Sequence, residues 1–364
     1  MSISNATRLQ RSVLRIASRD GADLDLAPPA GTRTPLEDVL RETIRPGDQI
    51  LFAGAGPDPS IAGTVARLAG PQGAVLVIES NPELLGREIT TTPDQATCQC
   101  IETDLDDFRT SPEFLERFLA EHPATDPRGY RALQDALAEQ RAARPLVPDG
   151  SLDLVVVNAA NQLPAARVTS LLAEAYRTLR RGGRLLLSLL LADEPPPAAL
   201  PSVSGGASTR YVPCETEILA LLAGAGYHGM RYTWRAELPL KVVAGVELRP
   251  FLIEAHTGKL GPCLDRGHAV LYRGPWREVL DDDDHRYRRG ERTAVCEKTY
   301  ALLMQSPYRN EFFGIPPYLE VPADQAPPFD CQTPQVREPA VTKGVKTVFD
   351  VRGGGCGPAS GTCC

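Results

Sequence analysis

A glycine turn set between two apolar runs constrains this chain more than any other stretch. Residues 49–81 read QILFAGAGPDPSIAGTVARLAGPQGAVLVIESN. The apolar run at 50–53 meets Gly54-Ala55-Gly56, and a helix-compatible segment follows with Ile61, Val65 and Leu68 on one face. Gly70-Pro71-Gln72-Gly73 ends that segment, and a second apolar run at 74–78 closes on Glu79. The pattern is strand, tight turn, helix and strand, with an acid at the end of the second strand. Such a unit suits a nucleotide-like ligand. Glycines let the backbone approach it, a helix N-terminus faces it, and the acid can bind ribose hydroxyls. The same turn also serves as a plain connection from strand to helix, so the rest of the chain has to decide between the two.

The flanking segments extend the unit. Thr34-Pro35 predicts a helix start, with the helix running to about residue 45. A short helix is expected over 84–89, and a third strand over 98–104 ends on Asp104. Residues 109–147 read as a helical insert: Ser111 caps a first helix with an apolar stripe of Phe114, Phe118 and Leu119, and a second helix spans 128–143. A fourth strand at 152–158 ends on Asn158, a helix covers 164–179, and a fifth strand lies at 184–191. Alternation of this kind predicts an α/β, doubly wound, mostly parallel Rossmann-like sheet. In such sheets ligands sit outside the carboxyl ends of the strands, where Gly54, Gly56, Glu79, Asp104 and Asn158 all fall.

Composition excludes several functions. The 364 residues are 42% hydrophobic and 23% charged, which is a globular balance. The net charge of −7 offers no basic surface for nucleic acid. No apolar run approaches the ~20 residues of a membrane span. Arginines at 8, 11, 15 and 19 read as the solvated face of an N-terminal helix, with an organelle-targeting helix as the alternative. No secretory pattern is visible, so a cytoplasmic protein is expected.

The second half has a different character. A Pro/Gly/Ser-rich stretch at 194–208 reads as a linker or lid. Strands are expected at 245–255 and 269–272, and Asp281 to His285 reads most simply as a solvated acidic turn, with cation binding by its carboxylates and histidine as the alternative. Beyond 321 the chain is proline-rich and reads as extended. Of nine cysteines, six lie after position 250, and three, Cys356, Cys363 and Cys364, fall in the last nine residues. An odd number in a chain of this size speaks for thiol or metal chemistry over a disulfide framework. Thiolates select soft centres.

Residues 256–303, HTGKLGPCLDRGHAVLYRGPWREVLDDDDHRYRRGERTAVCEKTYALL, resemble the C-terminal domain of the arsenite S-adenosylmethionine methyltransferases. The resemblance rests on four collinear features: Cys263, the strand Ala269-Val270-Leu271-Tyr272-Arg273-Gly274, the loop Asp283-Asp284-His285, and Arg289-Gly290-Glu291-Arg292-Thr293-Ala294-Val295-Cys296. Residues 1–35 read as a polar lead-in; the resemblance covers roughly 36–364 and implies a class I methyltransferase-like Rossmann domain over 36–230, a smaller α+β substrate domain over 231–320, and an extended cysteine-rich tail over 321–364. S-adenosylmethionine is the implied cofactor, with Gly54 and Gly56 in the cofactor loop, Glu79 at the ribose, Asp104 before the adenine and Asn158 closing the fourth strand.

The implied reaction is an in-line methyl transfer. Trivalent arsenic on thiolates keeps a lone pair, and that lone pair attacks the sulfonium methyl. No general base is needed, and catalysis comes mostly from positioning. Cys263 matches the family's downstream arsenic-binding cysteine, and Cys356, Cys363 and Cys364 are candidates to deliver or complete the ligation. The family's other main ligand aligns with Ser208, with Cys214 six residues on. Phe52 and Asp58 stand where the family has an acid and a third glycine. That substitution motivates an alternative: a non-catalytic relative that binds a soft metal or metalloid, or acts as a partner subunit. A methyltransferase for a small organic acceptor is the third reading.

Overall fold

The computed structural model describes residues 24–25, 35–54, 60–91, 98–158, 160–196, 209–258 and 261–351. They fall into two compact units, Met1–Gly258 and Lys259–Cys364. The N-terminal arginine face, Gly56, Asp58, Ser208 and the three tail cysteines lie outside the described residues.

The first unit is built on a nine-stranded sheet. Its strands are β1 (Leu24–Asp25), β2 (Gln49–Ala53), β3 (Ala74–Glu79), β4 (Cys98–Glu102), β5 (Leu152–Val157), β6 (Leu179–Ala192), β7 (His228–Arg235), β8 (Lys241–Val243) and β9 (Val246–His256). Its helices are α1 (Leu36–Thr43), α2 (Ser60–Ala69), α3 (Pro82–Thr91), α4 (Pro112–Glu121), α5 (Pro127–Ala143), α6 (Ala165–Thr178) and α7 (Glu215–Gly224). Strands run β4-β3-β2-β5-β6 in parallel, then β9 antiparallel, with β7 and β8 both paired to the far side of β9. This is the expected doubly wound, mostly parallel, Rossmann-like sheet.

Both faces of the sheet are covered, and the period of two along each strand says how. Ile50 and Phe52 of β2 pack with Val75, Val77, Leu154 and Val156 beneath α1 and α2. Leu51 and Ala53 point the other way, into a core with Leu171, Leu172 and Ile218 of α6 and α7. Strands buried on both faces read as near-continuous apolar runs, which is why these segments stand out in the sequence.

Two expectations need correction here. The first unit does not end near 230. β9 pairs with β6 from Arg184↔His256 to Ala192↔Leu248, so the 228–256 segment completes the main sheet, and the units divide at Gly258. The insert forms as two helices, with Ser111 Oγ accepting the Phe114 N–H at 3.3 Å and Asp126 capping α5. Yet α4 has no buried residue, and Phe114 and Phe118 stack on each other with centroids 6.0 Å apart. The insert is anchored through Leu133, Leu137 and Gln140 of α5 instead.

The second unit is α+β. It contains β10 (Ala269–Tyr272), β11 (Glu278–Leu280), β12 (Arg286–Arg288), β13 (Arg292–Ala294), α8 (Glu297–Leu303), β14 (Phe312–Ile315) and α9 (Pro339–Thr342). β13-β10-β14 form an antiparallel sheet, and β11 and β12 a hairpin. The expected tail is not free over its described part. Phe329, Cys331, Arg337, Val341 and Val348 are buried, and the segment bridges Leu264↔Pro328 and Thr293↔Val336.

Candidate functional site

The carboxyl edge of the first sheet gathers four of the five cofactor residues expected from the sequence. Register pairs Ala53 with Ile78 and Val157, and Glu79 with Glu102, so Gly54, Glu79, Asp104 and Asn158 follow four neighbouring strand ends. Gly54 has φ +85, a conformation in which a side chain is strained, and its N–H donates to the Ile78 carbonyl at 2.9 Å. The Asn158 N–H donates to the Ala53 carbonyl at 2.9 Å. The Glu79 side chain is fully buried, and its Oε1 accepts the Asn81 N–H at 2.8 Å. That bond fixes the carboxylate at the strand end and closes the turn into α3.

A cavity of about 230 Å³ opens on this edge, lined by Ser80, Asp104, Gln162, Arg167 and Arg210 among others. Arg167 is its organising cation. Its Nε donates to Asp106 Oδ2 at 2.8 Å, and its Nη2 lies 3.2 Å from Asp104 Oδ2. The hydrogen bond to Asp106 raises the guanidinium's pKa further above its ordinary value, so the charge is fixed. Asp104 is 64% exposed and presents its carboxylate to the cavity mouth.

Sequence reading missed Asn161. β5 stops accompanying β6 at Val157↔Leu187. Four residues on, the Asn161 amide takes over as a one-group strand. Its Nδ2 donates to the Leu190 carbonyl at 3.1 Å, and its Oδ1 accepts the Leu190 N–H at 2.7 Å. Nδ2 also donates to the Tyr211 carbonyl at 2.9 Å, while the Asn161 carbonyl accepts the Arg210 N–H at 2.8 Å. Asn161 thus holds the segment that carries Arg210 to the cavity.

Phe52 is fully buried in the core beneath α2, so this position packs and does not line the edge. Cys214 caps the N-terminus of α7. Burial and the nearby Glu217, Asp193 and Glu215 raise its pKa.

In the second unit Cys263 is not alone. Cys263, Cys296 and Cys331 bring their sulfurs within 4.8 Å of one another, and all three are free thiols. Cys296 is fully buried at the N-cap of α8, where its Sγ accepts the Thr299 N–H at 3.4 Å and lies 3.2 Å from the Thr299 hydroxyl. A hydrogen bond from Cys331 outweighs burial and lowers the Cys296 pKa, while the same bond raises that of Cys331. The pair therefore favours one thiolate, on Cys296. Cys296 and Cys331 were not singled out as ligands from the sequence.

The acidic loop is a turn, but Asp281 and His285 are not solvated in it as expected: their side chains are only 8% and 14% exposed. Asp281 Oδ1 accepts the N–H groups of Asp283 and His285 at 2.9 and 3.0 Å, and Oδ2 lies 2.8 Å from His285 Nδ1 and accepts the Tyr287 hydroxyl at 2.9 Å. Burial opposes ionisation there, but the bonds from His285 and Tyr287 hold the carboxyl below its usual range.

No helix among the described residues is long and apolar enough to cross a membrane. A family described as a domain of unknown function (DUF8838) matches residues 259–347. No curated protein matches the chain. Similar solved structures include an arsenic(III) S-adenosylmethionine methyltransferase from Chlamydomonas reinhardtii, at 19% identity and TM-score 0.45, covering 87% of this chain and 98% of that one. A 1,6-didemethyltoxoflavin-N1-methyltransferase from Burkholderia thailandensis, with S-adenosylhomocysteine bound, is similar at 14% identity and TM-score 0.40, covering 71% and 92%. A SAM-dependent methyltransferase from Aquifex aeolicus is similar at 14% identity and TM-score 0.34, covering 66% and 97%.

Proposed function

We propose that the chain is an S-adenosylmethionine-dependent methyltransferase whose acceptor is a soft trivalent centre held on thiolates, with arsenite as the first candidate. The carrying observation is the set of groups on adjacent strand ends: the left-handed turn at Gly54, the buried Glu79 carboxylate, Asp104 and Asn158. These residues fit the cofactor. Gly54 gives the backbone a close approach, Glu79 offers an acceptor for ribose hydroxyls, and Asp104 with Arg167 lines the cavity beyond it. When bound, S-adenosylmethionine supplies an electrophilic methyl on a sulfonium.

The chain's own task is then positioning. Arsenic bound to thiolates has no proton to lose, so no base is required, and rate comes from orientation and exclusion of water. Cys263 is the proposed acceptor ligand, and Cys356, Cys363 and Cys364 are proposed to deliver the metalloid from the tail.

Phe52 favours a second reading. Packed in the core, it offers no acid at the cofactor loop, which suits a relative that binds a soft ion without transferring methyl. Calorimetric titration of the reduced protein with S-adenosylmethionine, with and without arsenite, separates the readings. Cofactor binding with methylated arsenic among the products supports the proposal. Cofactor binding without such products leaves an organic acceptor, and no cofactor binding in either condition sinks methyl transfer altogether.

A further inference from the structure

We infer that Cys263, Cys296 and Cys331 make up a complete three-sulfur site for one soft, thiophilic ion, contained within the second unit. The site deepens the proposed acceptor reading by naming its ligands, yet it stands even if no methyl is transferred.

The three thiols come from segments far apart in sequence that backbone pairing brings together. The Cys263 carbonyl accepts the Phe329 N–H at 2.8 Å, and the Asp265 N–H donates to the Pro327 carbonyl at 2.8 Å. Cys296 follows β13 and opens α8, with Glu297 N–H bonded to the Leu264 carbonyl at 3.0 Å. The Cys331 segment is fastened again by Ala294 N–H to the Gln335 carbonyl at 2.8 Å. Each donor is therefore placed before any ion arrives. Sulfurs bonded to one centre at about 2.3 Å lie roughly 3.8 Å apart. The existing spread of at most 4.8 Å needs only a small contraction.

A second observation points to a ligand. Beside Cys296 and Cys331 lies a cavity of about 30 Å³, walled in part by Thr293, Thr299 and Gln332. This is room for water. The Thr293 hydroxyl is buried there with no hydrogen-bond partner. A buried hydroxyl without a partner is costly, and an oxygen atom beside the sulfurs would satisfy it. A water leaving arsenite, or a water in the fourth position of a divalent cation, is such an atom. No carboxylate or imidazole among the described residues joins the three sulfurs, so the donor set is purely soft.

The binding step balances without redox chemistry. Arsenite enters as As(OH)₃, three As–O bonds give way to three As–S bonds, and the three hydroxyls leave as three waters, taking up the thiol protons and, for a sulfur already ionised, a proton from solvent. Zinc instead displaces thiol protons to solvent and keeps a water.

The test uses the full-length reduced chain titrated with sodium arsenite and, separately, with zinc chloride. X-ray absorption counts the sulfurs around the bound ion, and alkylation followed by mass spectrometry reports which cysteines it protects. The expected result is one ion on three sulfurs, with Cys263, Cys296 and Cys331 protected. Cys331→Ala should leave two sulfurs and weaken binding about tenfold or more. Alkylation of the native chain keeps the test decisive should a variant fail to fold. Protection confined to Cys356, Cys363 and Cys364, or binding unchanged in Cys331→Ala, overturns the inference. Zinc bound without arsenite upholds the site and removes arsenite as its ligand. Failure of S-adenosylmethionine to bind, measured on the same sample, counts against methyl transfer alone.

Discussion

Arg337 Nη2 and Asp265 Oδ1 meet at 2.7 Å with only 4% and 3% of their side chains exposed. The Arg337 Nε adds a bond to the His268 carbonyl at 3.3 Å. The pair fastens the segment bearing Cys331 to the loop bearing Cys263. Removing one partner strands a charge in the interior, which costs about 3–5 kcal/mol, whereas apolar replacement of both is often near neutral. Arg337→Ala or Asp265→Ala is therefore expected to lower urea stability by that amount. Combining Arg337→Met with Asp265→Leu should restore most of it. Stability of the double variant as low as that of either single would disprove the account.

Asn161→Ala should free the Leu190 N–H and carbonyl together. Each unsatisfied buried group costs about 1–3 kcal/mol. The local readout is hydrogen exchange: the Leu190 amide, bonded to Asn161 Oδ1 at 2.7 Å, should lose protection while the β2 amides keep theirs. Asn161→Asp keeps the acceptor but turns a carboxylate toward the Leu190 and Tyr211 carbonyls, so it should not rescue.

His256 makes the first unit sensitive to acid. Burial, then the neighbouring His228, Arg231, Arg184 and Arg45, lower its pKa from 6.5 to about 3. Glu254 Oε1 lies 3.5 Å away, but that carboxylate's Oε2 accepts Arg231 Nε at 2.8 Å. Between those two values the unfolded chain binds a proton that the folded chain refuses. Stability must therefore fall as pH drops below 6.5, by about 1.4 kcal/mol per pH unit for one proton. Denaturant midpoints across this range should show the slope, and His256→Gln should flatten it by one proton.

Glu79→Gln keeps an acceptor for the Asn81 N–H and removes only the charge. If this carboxylate binds ribose, S-adenosylmethionine affinity should drop by about 1.5–3 kcal/mol, the worth of hydrogen bonds to a charged group. That is roughly ten- to hundredfold in Kd. An unchanged Kd in calorimetry would remove Glu79 from the cofactor site.

The strands of the parallel sheet were legible because burial on both faces leaves continuous apolar runs, as at Ile50 to Ala53 and Leu152 to Val157. β7 and β8 were hidden. Tyr232 is exposed and Arg231 pairs with Glu254, so their sequence does not show that β9 carries them into the main sheet. Cys263 could be picked out by its resemblance. Cys296 closes another feature of that resemblance but was not read as a ligand, and neither was Cys331, because no spacing rule links three segments that meet only through tertiary backbone pairing. Asn161 was missed for a related reason: its role depends on where β5 stops, which register decides and composition does not.

Phe52 gives the first unit a history that runs in one direction. The ring is fully enclosed with Ile61, Val65 and Val156. Exchanging it for aspartate would empty a phenylalanine-sized space, at about 3–5 kcal/mol, and leave a carboxylate without a partner in that space. Several neighbours would have to change volume before an acid could return. Whatever chemistry the glycine turn now serves, descendants of this chain are expected to modify it with the aromatic residue in place.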